Sequence, residues 1–129
     1  MPKRARDAYP RGVDIEYAGF GRIIVDGTRF DHDVVIEAGA VRARDKTPSR
    51  AVTSGSGHTP LSAAEDIPWS GPQLVIGSGY SGRLPIRSDV HERAAELGVE
   101  LVVLPTAEAC SLLRRRHASE ITAILHVTC

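Results

Sequence analysis

The sequence has few cysteines, few aromatic residues and no net charge. Among its 129 residues are two cysteines, Cys110 and Cys129, with no Cys-x-x-Cys pair. This argues against a disulfide framework and a metal site and favours a reduced, cytoplasmic protein. Aromatic residues make up 5% of the chain, too few to predict a platform that stacks nucleic-acid bases. Sixteen basic residues balance sixteen acidic ones, so we expect no nucleic-acid or membrane partner, and one barrier to self-association is missing.

The sequence also lacks long apolar runs. No stretch is long enough to span a bilayer, and the charged first residues are followed by no apolar segment of a secretory signal. The length favours one domain. Residues 1–12 are polar and contain two prolines, which predicts a frayed tail, so we place the domain at residues 13–129.

The first third predicts an antiparallel meander. Apolar residues alternate from Val13 to Tyr17, and Asp26-Gly27 between two β-type runs is typical of a type I′ hairpin turn. The runs at 34–37 and 40–44 flank a second turn at Ala38-Gly39. Residues 45–57 are rich in polar residues, glycine and proline, which predicts a long mobile loop. Thr59-Pro60 then resembles a helix start, so we expect one or two helical turns from Leu61 to Ile67.

The second half alternates between strand and helix patterns. Apolar runs at 74–76, 101–104 and 121–125 predict strands. Asp89-x-x-Glu92 resembles a capping box, Gly98 is placed like a helix C-cap, and Thr106 is placed to cap the next helix. The fold class is therefore α/β: an antiparallel meander followed by a βαβαβ parallel unit in a mixed sheet.

Parallel strands place their carboxyl ends at one edge of the sheet, where ligand sites tend to form. The residues that should meet there suggest a small anion or carboxylate site, since glycine-rich loops and helix N-termini offer N–H donors and arginine a charged fork. The candidate ligand-binding residues are His58, Ser78, Gly79, Arg83, Thr106 and His126. The simpler alternative is that the glycines only let the chain turn, while Arg83 is solvated.

Catalytic residues are harder to identify. A Cys–His or Ser–His pair needs hydrogen-bond contact, and Cys110 falls on the apolar-leaning face of its helix, where it reads as a small buried hydrophobe. Asp26, Asp31 and Asp33 look like turn and edge residues rather than paired carboxylates. We therefore assign no catalytic residue, no metal site and no cofactor.

Five segments in order carry a family resemblance. They are Phe20-Gly-Arg-Ile-Ile-Val-Asp-Gly27, Gly57-His-Thr59, Leu74-Val-Ile-Gly-Ser-Gly79, the run from Gly98 to Ala109, and Leu125-His-Val-Thr-Cys129. Together they resemble the adipogenesis-associated Mth-domain family, to which a mitochondrial complex I assembly factor is distantly related. The resemblance implies a three-layer single domain, with helices and a small sheet flanking a central mixed sheet. It implies little biochemistry, because the family has no established enzymatic activity, and its eukaryotic members are linked to assembly and regulation through protein partners.

The family's recurring positions fall here on His58, Gly77, Gly79, Thr106, Glu108 and His126. The segment 45–56 departs from the family because it is longer and lacks a tryptophan often found there. Three hypotheses follow. The first is a non-enzymatic interaction or assembly module that binds a protein partner or self-associates. The second is a small-anion binding domain at the Ser78–Arg83 loop. The third is a hydrolase or transferase using His58 or His126 with a nearby hydroxyl or thiol.

Overall fold

The computed structural model describes residues 14–52 and 59–129, which contain eight strands and three α-helices. The predicted tail at 1–12, the boundary at residue 13 and His58 lie outside these residues. The strands are β1 (Ile15–Gly19), β2 (Arg22–Val25), β3 (Thr28–Phe30), β4 (Val34–Glu37), β5 (Ala40–Ala43), β6 (Gln73–Gly77), β7 (Glu100–Leu104) and β8 (Thr122–Leu125). The helices are α1 (Thr47–Val52), α2 (Ser88–Leu97) and α3 (Thr106–Leu113), with a 3₁₀ turn at Ala118–Glu120.

The strands form two sheets, which confirms the predicted α/β class. Strands β1-β2-β3 make a small antiparallel sheet, and the central sheet has the order β5-β4-β8-β6-β7. Strand β6 runs parallel to β7 and β8, while β4 is antiparallel to β5 and β8. The predicted meander therefore divides between two sheets. Because Val34, Val35 and Ile36 are all buried, β4 needs cover on both faces, and it obtains that cover only in the central sheet.

Apolar side chains cover both faces of the central sheet, giving the three predicted layers. Val34 and Ile36 point to a cluster with α3 and the small sheet, whereas Val35 points to a second cluster with α2. The alternation follows from the two-residue period of a strand. Trp69 packs against the second cluster. None of the described helices has the length and apolar character needed to cross a membrane.

Two local predictions between β5 and β6 were wrong. Part of the predicted loop is helix α1. At its start, the Thr47 amide donates a hydrogen bond to the Asp45 carboxylate at 3.0 Å. A helix held mainly by polar contacts has no apolar period to reveal it. The predicted helix from Leu61 to Ile67 is absent. The Leu61 amide instead donates to Pro85, and the Arg87 amide donates to Leu61, which leaves that backbone in a parallel bridge.

The ends of the crossover helices were only partly predicted. Gly98 is the C-cap of α2, with a left-handed φ of 71°, as expected. The prediction of a capping box at Asp89-x-x-Glu92 was wrong, because Arg87 is the N-cap residue and its side chain makes no capping hydrogen bond. Thr106 is the first residue of α3 rather than its cap, since Pro105 occupies the N-cap position.

Candidate functional site

The carboxyl ends of β6, β7 and β8 lie side by side, as the sequence predicted. Gly77 at the end of β6 is in register with Leu104 of β7 and with Leu125 of β8. The residues that follow these strands therefore meet at one place, which we call the carboxyl end of the sheet. Of the six candidate residues, Ser78, Gly79, Thr106 and His126 meet there as buried groups, and Arg83 lies on the same loop with an exposed side chain.

Thr106 joins the three strand ends through its side chain. Its hydroxyl accepts a hydrogen bond from the Gly79 amide at 2.8 Å and donates to the His126 carbonyl at 2.6 Å. Its own amide donates to the Gly79 carbonyl at 3.0 Å. Ser78 makes a similar link, since its amide and its hydroxyl both donate to the Leu104 carbonyl, at 2.8 and 3.1 Å. These two hydroxyls therefore already have partners within the protein.

The glycine-rich loop binds the chain's own residues 128 and 129. The Tyr80 amide donates to the Thr128 carbonyl at 2.7 Å, and the Ser81 and Arg83 amides both donate to the Cys129 carbonyl at 3.1 Å. Gly79 is required for this contact. Its φ is 107°, and a Cβ at this position would lie 2.2 Å from the Cys129 carbonyl carbon. The N–H donors predicted to bind a ligand thus hold main-chain oxygens.

His126 lies in a buried contact with Asp33, which sequence reasoning had assigned to a turn. The His126 Nδ1 is 2.8 Å from Asp33 Oδ2, and the other carboxylate oxygen accepts the Val127 amide at 2.9 Å. Burial by itself raises the pKa of Asp33, but the hydrogen bond and charge interaction with His126 outweigh it, lowering that pKa from 3.8 to about 2. An ionised carboxylate can only accept, so Nδ1 carries the proton and Nε2 faces the Thr128 hydroxyl at 3.2 Å.

The same carboxylate belongs to a larger buried ionic network. Arg44 donates to Asp33 at 2.9 Å and makes a two-pronged contact with Glu65 at 2.8 and 2.7 Å. Burial alone would lower the pKa of Arg44, but its hydrogen bonds and charge interactions with Glu65 and Asp33 outweigh burial. The pKa is therefore raised above its ordinary value, and the guanidinium stays charged. Ser49 of α1 donates to Glu65 and lies 2.8 Å from the Ser62 hydroxyl. The network ties α1, the 60–67 segment and the end of β8 together through hydrogen-bonded polar groups.

The sequence contains little that points to this network. Its members are spread along the chain, since Asp33 and His126 are 93 positions apart and Arg44 and Glu65 are 21 positions apart. Buried charges follow no periodic pattern, and each of these residues reads as an ordinary turn or surface residue. The one usable signal was the family's recurring His126, which needs a buried partner to fix its ring.

The thiols and metal-binding groups contribute little chemistry. Burial raises the pKa of Cys110 to about 12, so its thiol stays protonated, as expected for a small hydrophobe. Cys129 is partly exposed, and no disulfide joins the two cysteines. In the described part of the chain, no cluster of three His, Cys, Asp or Glu side chains could hold a metal ion.

Two further surface features are a pair of exposed aromatic rings and a cleft. Phe20 and Tyr80 are exposed by 59% and 63%, and their rings touch edge to face with centroids 6.2 Å apart. We call this pair the aromatic patch. The second feature is a cleft of about 750 Å³ at the opposite end of the sheet, where β6, β7 and β8 begin.

No protein-family model matches the chain, and no curated protein matches it. It is similar to several solved structures. The conserved hypothetical protein PH1505 from Pyrococcus horikoshii OT3 is 31% identical over 89% of this chain and 98% of that one, with a TM-score of 0.71. The protein MT938 is 26% identical over 91% and 99%, with a TM-score of 0.67.

A third structure, a Mth938-like domain protein from Bordetella pertussis, shows a likeness of fold. It is 16% identical over 89% of this chain and 85% of that one, with a TM-score of 0.57. None of these descriptions states an activity, so the comparisons identify a domain of unknown function. The identity with PH1505 over nearly its whole length, together with the shared fold, shows that the chain belongs to the family of Mth938-like domains.

Proposed function

We propose that this protein is a non-enzymatic interaction module of the cytoplasm that self-associates through its aromatic patch. The observation that carries the proposal is the pair of exposed, touching rings of Phe20 and Tyr80. Large aromatic side chains contribute most to protein interfaces when they are held in one place before binding. Here hydrogen bonds fix the backbone at Tyr80 and next to Phe20.

Two groups beside the aromatic patch donate hydrogen bonds to the Val127 carbonyl. Tyr17, whose ring lies 6.4 Å from that of Tyr80, donates its hydroxyl to the Val127 carbonyl at 2.6 Å. The Gly21 amide, next to Phe20, donates to the same carbonyl at 2.7 Å. The turn that carries Phe20 is thereby fixed to the end of the central sheet, so little backbone freedom is lost there on binding.

A second copy of this chain suits the patch as its occupant. The formal net charge is zero, so two copies do not repel each other at neutral pH. Most soluble homo-oligomers are two-fold symmetric, and a patch placed on the two-fold axis meets its own copy. Phe20 would then pack on the partner's aromatic pair without any need for charge complementarity.

Sedimentation equilibrium over a micromolar to millimolar series tests this proposal. The wild type should show a concentration-dependent dimer, and the double variant Phe20→Ser, Tyr80→Ser should stay monomeric. Leu97→Ser is the matched control, because Leu97 is another large apolar residue, 44% exposed, on α2 and outside the patch. A wild type that stays monomeric, or a dimer that survives the double variant, would contradict the proposal.

A small anion or carboxylate ligand at the Ser78–Arg83 loop is the second candidate function. Its specific support is that two loop amides, those of Ser81 and Arg83, converge on one oxygen of Cys129. A ligand oxygen could take that position, and the exposed Arg83 side chain makes no hydrogen bond or ion pair with a described residue that would oppose it. Thermal stabilisation by an anion should then disappear in Arg83→Ala and persist in Arg115→Ala. An equal shift in both variants would exclude the loop.

The hydrolase or transferase hypothesis ranks third. In its favour, Asp33, His126 and Thr128 stand in the order carboxylate, imidazole, hydroxyl. However, the hydroxyl is that of a threonine rather than the expected serine or cysteine, and Asp33 is shared with Arg44. Hydrolysis of an activated ester that is lost in Thr128→Val would place this hypothesis above the other two.

A further inference from the structure

The cleft at the amino end of the sheet has the size and polarity of a small-molecule site. Its volume of about 750 Å³ lies within the range that encloses metabolites. The first residues of the three parallel strands, Gln73, Glu100 and Thr122, all line it. Because these three residues belong to strands, their part of the wall is fixed by the sheet, which favours a preformed site.

A buried hydroxyl without a partner lies in the cleft. Thr122 is 5% exposed, and its hydroxyl makes no hydrogen bond to any residue in the described ranges. Leaving a buried hydroxyl unpaired is costly, and native proteins rarely do so without a ligand or water. The approach to it is kept open by Gly71, where a Cβ would lie 2.8 Å from Thr122 Oγ1. Any larger residue at position 71 would cover the hydroxyl.

Charges of both signs line the same cleft without neutralising each other. Arg116 donates to the side-chain oxygen of Gln73, and the Gln73 amide donates to Glu100 at 3.0 Å, so a neutral amide separates the two charges. Glu120 also lines the cleft. Arg116, Glu100 and Glu120 form no ion pair with one another or with other described residues. One positive and two negative groups thus face one cavity.

We propose that this cleft binds a free amino acid that carries a second amine, such as lysine or ornithine. The ligand carboxylate pairs with Arg116, whose fork of N–H donors fits a carboxylate. The two ammonium groups pair with Glu100 and Glu120, and the Thr122 hydroxyl takes one remaining hydrogen bond. This class offers two positive groups and one negative group, the inverse of the charges on the wall. The proposal is independent of self-association, because the aromatic patch lies at the other end of the sheet.

Thermal unfolding with a panel of probes at matched ionic strength tests the proposal. L-lysine and L-ornithine should raise the melting temperature by binding only the folded state. Glycine, propionate and putrescine should do so less, because each lacks part of the charge pattern. No shift from either diamino acid, or an equal shift from putrescine alone, would overturn the proposed ligand class.

Variants place the effect in the cleft. Arg116→Gln and Thr122→Val should both lose the shift caused by lysine. Arg115→Gln is the matched control and should keep it, because Arg115 is the exposed neighbour that does not line the cleft. If Arg116→Gln proved too unstable to measure, the near-isosteric Thr122→Val would still decide. A full shift in both cleft variants would overturn the site, even if lysine bound elsewhere on the molecule.

Discussion

The two ends of the parallel strands are closed in different ways. At the carboxyl end, Thr106 uses its buried hydroxyl in two hydrogen bonds, and residues 128–129 cover the glycine-rich loop. At the amino end, Thr122 is also buried, but its hydroxyl has no partner among the described residues and faces a cleft. The rule that sites form at the carboxyl ends of strands locates loops rather than empty space. We place the proposed ligand at the amino end because a buried hydroxyl without a described partner lies there.

The difference also has an electrostatic side. Near the carboxyl end, Asp33, Glu65 and Arg44 neutralise each other in a buried network. Around the cleft, Glu100 and Arg116 are held apart by Gln73. Removing one partner of a buried ion pair leaves the other charge buried without compensation, which destabilises the fold. Separated charges at a cleft are instead available to a ligand. We therefore expect substitutions at the carboxyl end to change stability, and those at the cleft to change binding.

The largest effect should follow from Gly79→Ala, which pushes a methyl group into residues 128–129. The added Cβ would lie 2.2 Å from a main-chain carbon, and the φ of 107° is strained for alanine. We expect a loss of about 3 kcal/mol or more in the free energy of unfolding, from strain and overpacking together. Urea denaturation measures this loss.

Gly82→Ala is the matched control on the same loop. Its φ is 71°, but the nearest atom to an added Cβ would be 3.5 Å away, so only the conformational penalty applies, about 1 kcal/mol. Equal losses in the two variants would mean that residues 128–129 do not rest on the loop.

A smaller effect should appear in the pH dependence of stability. The pKa of Asp33 is lowered in the folded state, from 3.8 to about 2. Its contribution is therefore complete above pH 4 and is lost as the pH falls through that interval, a loss of about 2 kcal/mol. Urea denaturation at a series of pH values should show this loss in the wild type and not in Asp33→Asn.

Asp31→Asn serves as the control for this pH series. Asp31 is an exposed carboxylate two residues earlier, in contact with Arg29. This variant should keep the wild-type profile between pH 4 and pH 2. Parallel loss of stability in the wild type and Asp33→Asn would show that another group carries the acid sensitivity.

Sequence patterns predicted the backbone of this protein better than its polar interior. The apolar runs located the strands of the parallel unit, and Gly98 marked the end of α2, since strand burial and left-handed caps leave clear local signals. His126 and Thr106 were placed at the correct end of the sheet. Their partners could not be predicted, because Asp33 meets His126 only after β4 and β8 have paired. The amino-end cleft was missed for the same reason: Gly71 and Thr122 are brought together by the fold.

The smallest effect is expected for Thr122→Val, and its comparison with Thr106→Val tests the difference between the two ends most directly. Thr106→Val and Thr122→Val are the same substitution at two buried positions, 0% and 5% exposed. Thr106→Val removes two hydrogen bonds and leaves the Gly79 amide and the His126 carbonyl unpaired, so we expect a loss of about 1–3 kcal/mol in urea denaturation. Thr122→Val removes a hydroxyl without a described partner, so the ligand-free protein should be unchanged or more stable by up to about 1 kcal/mol. A clear loss in Thr122→Val would mean that the hydroxyl is already satisfied, by water or by a residue outside the described ranges, and the two ends of the sheet would then be equally closed.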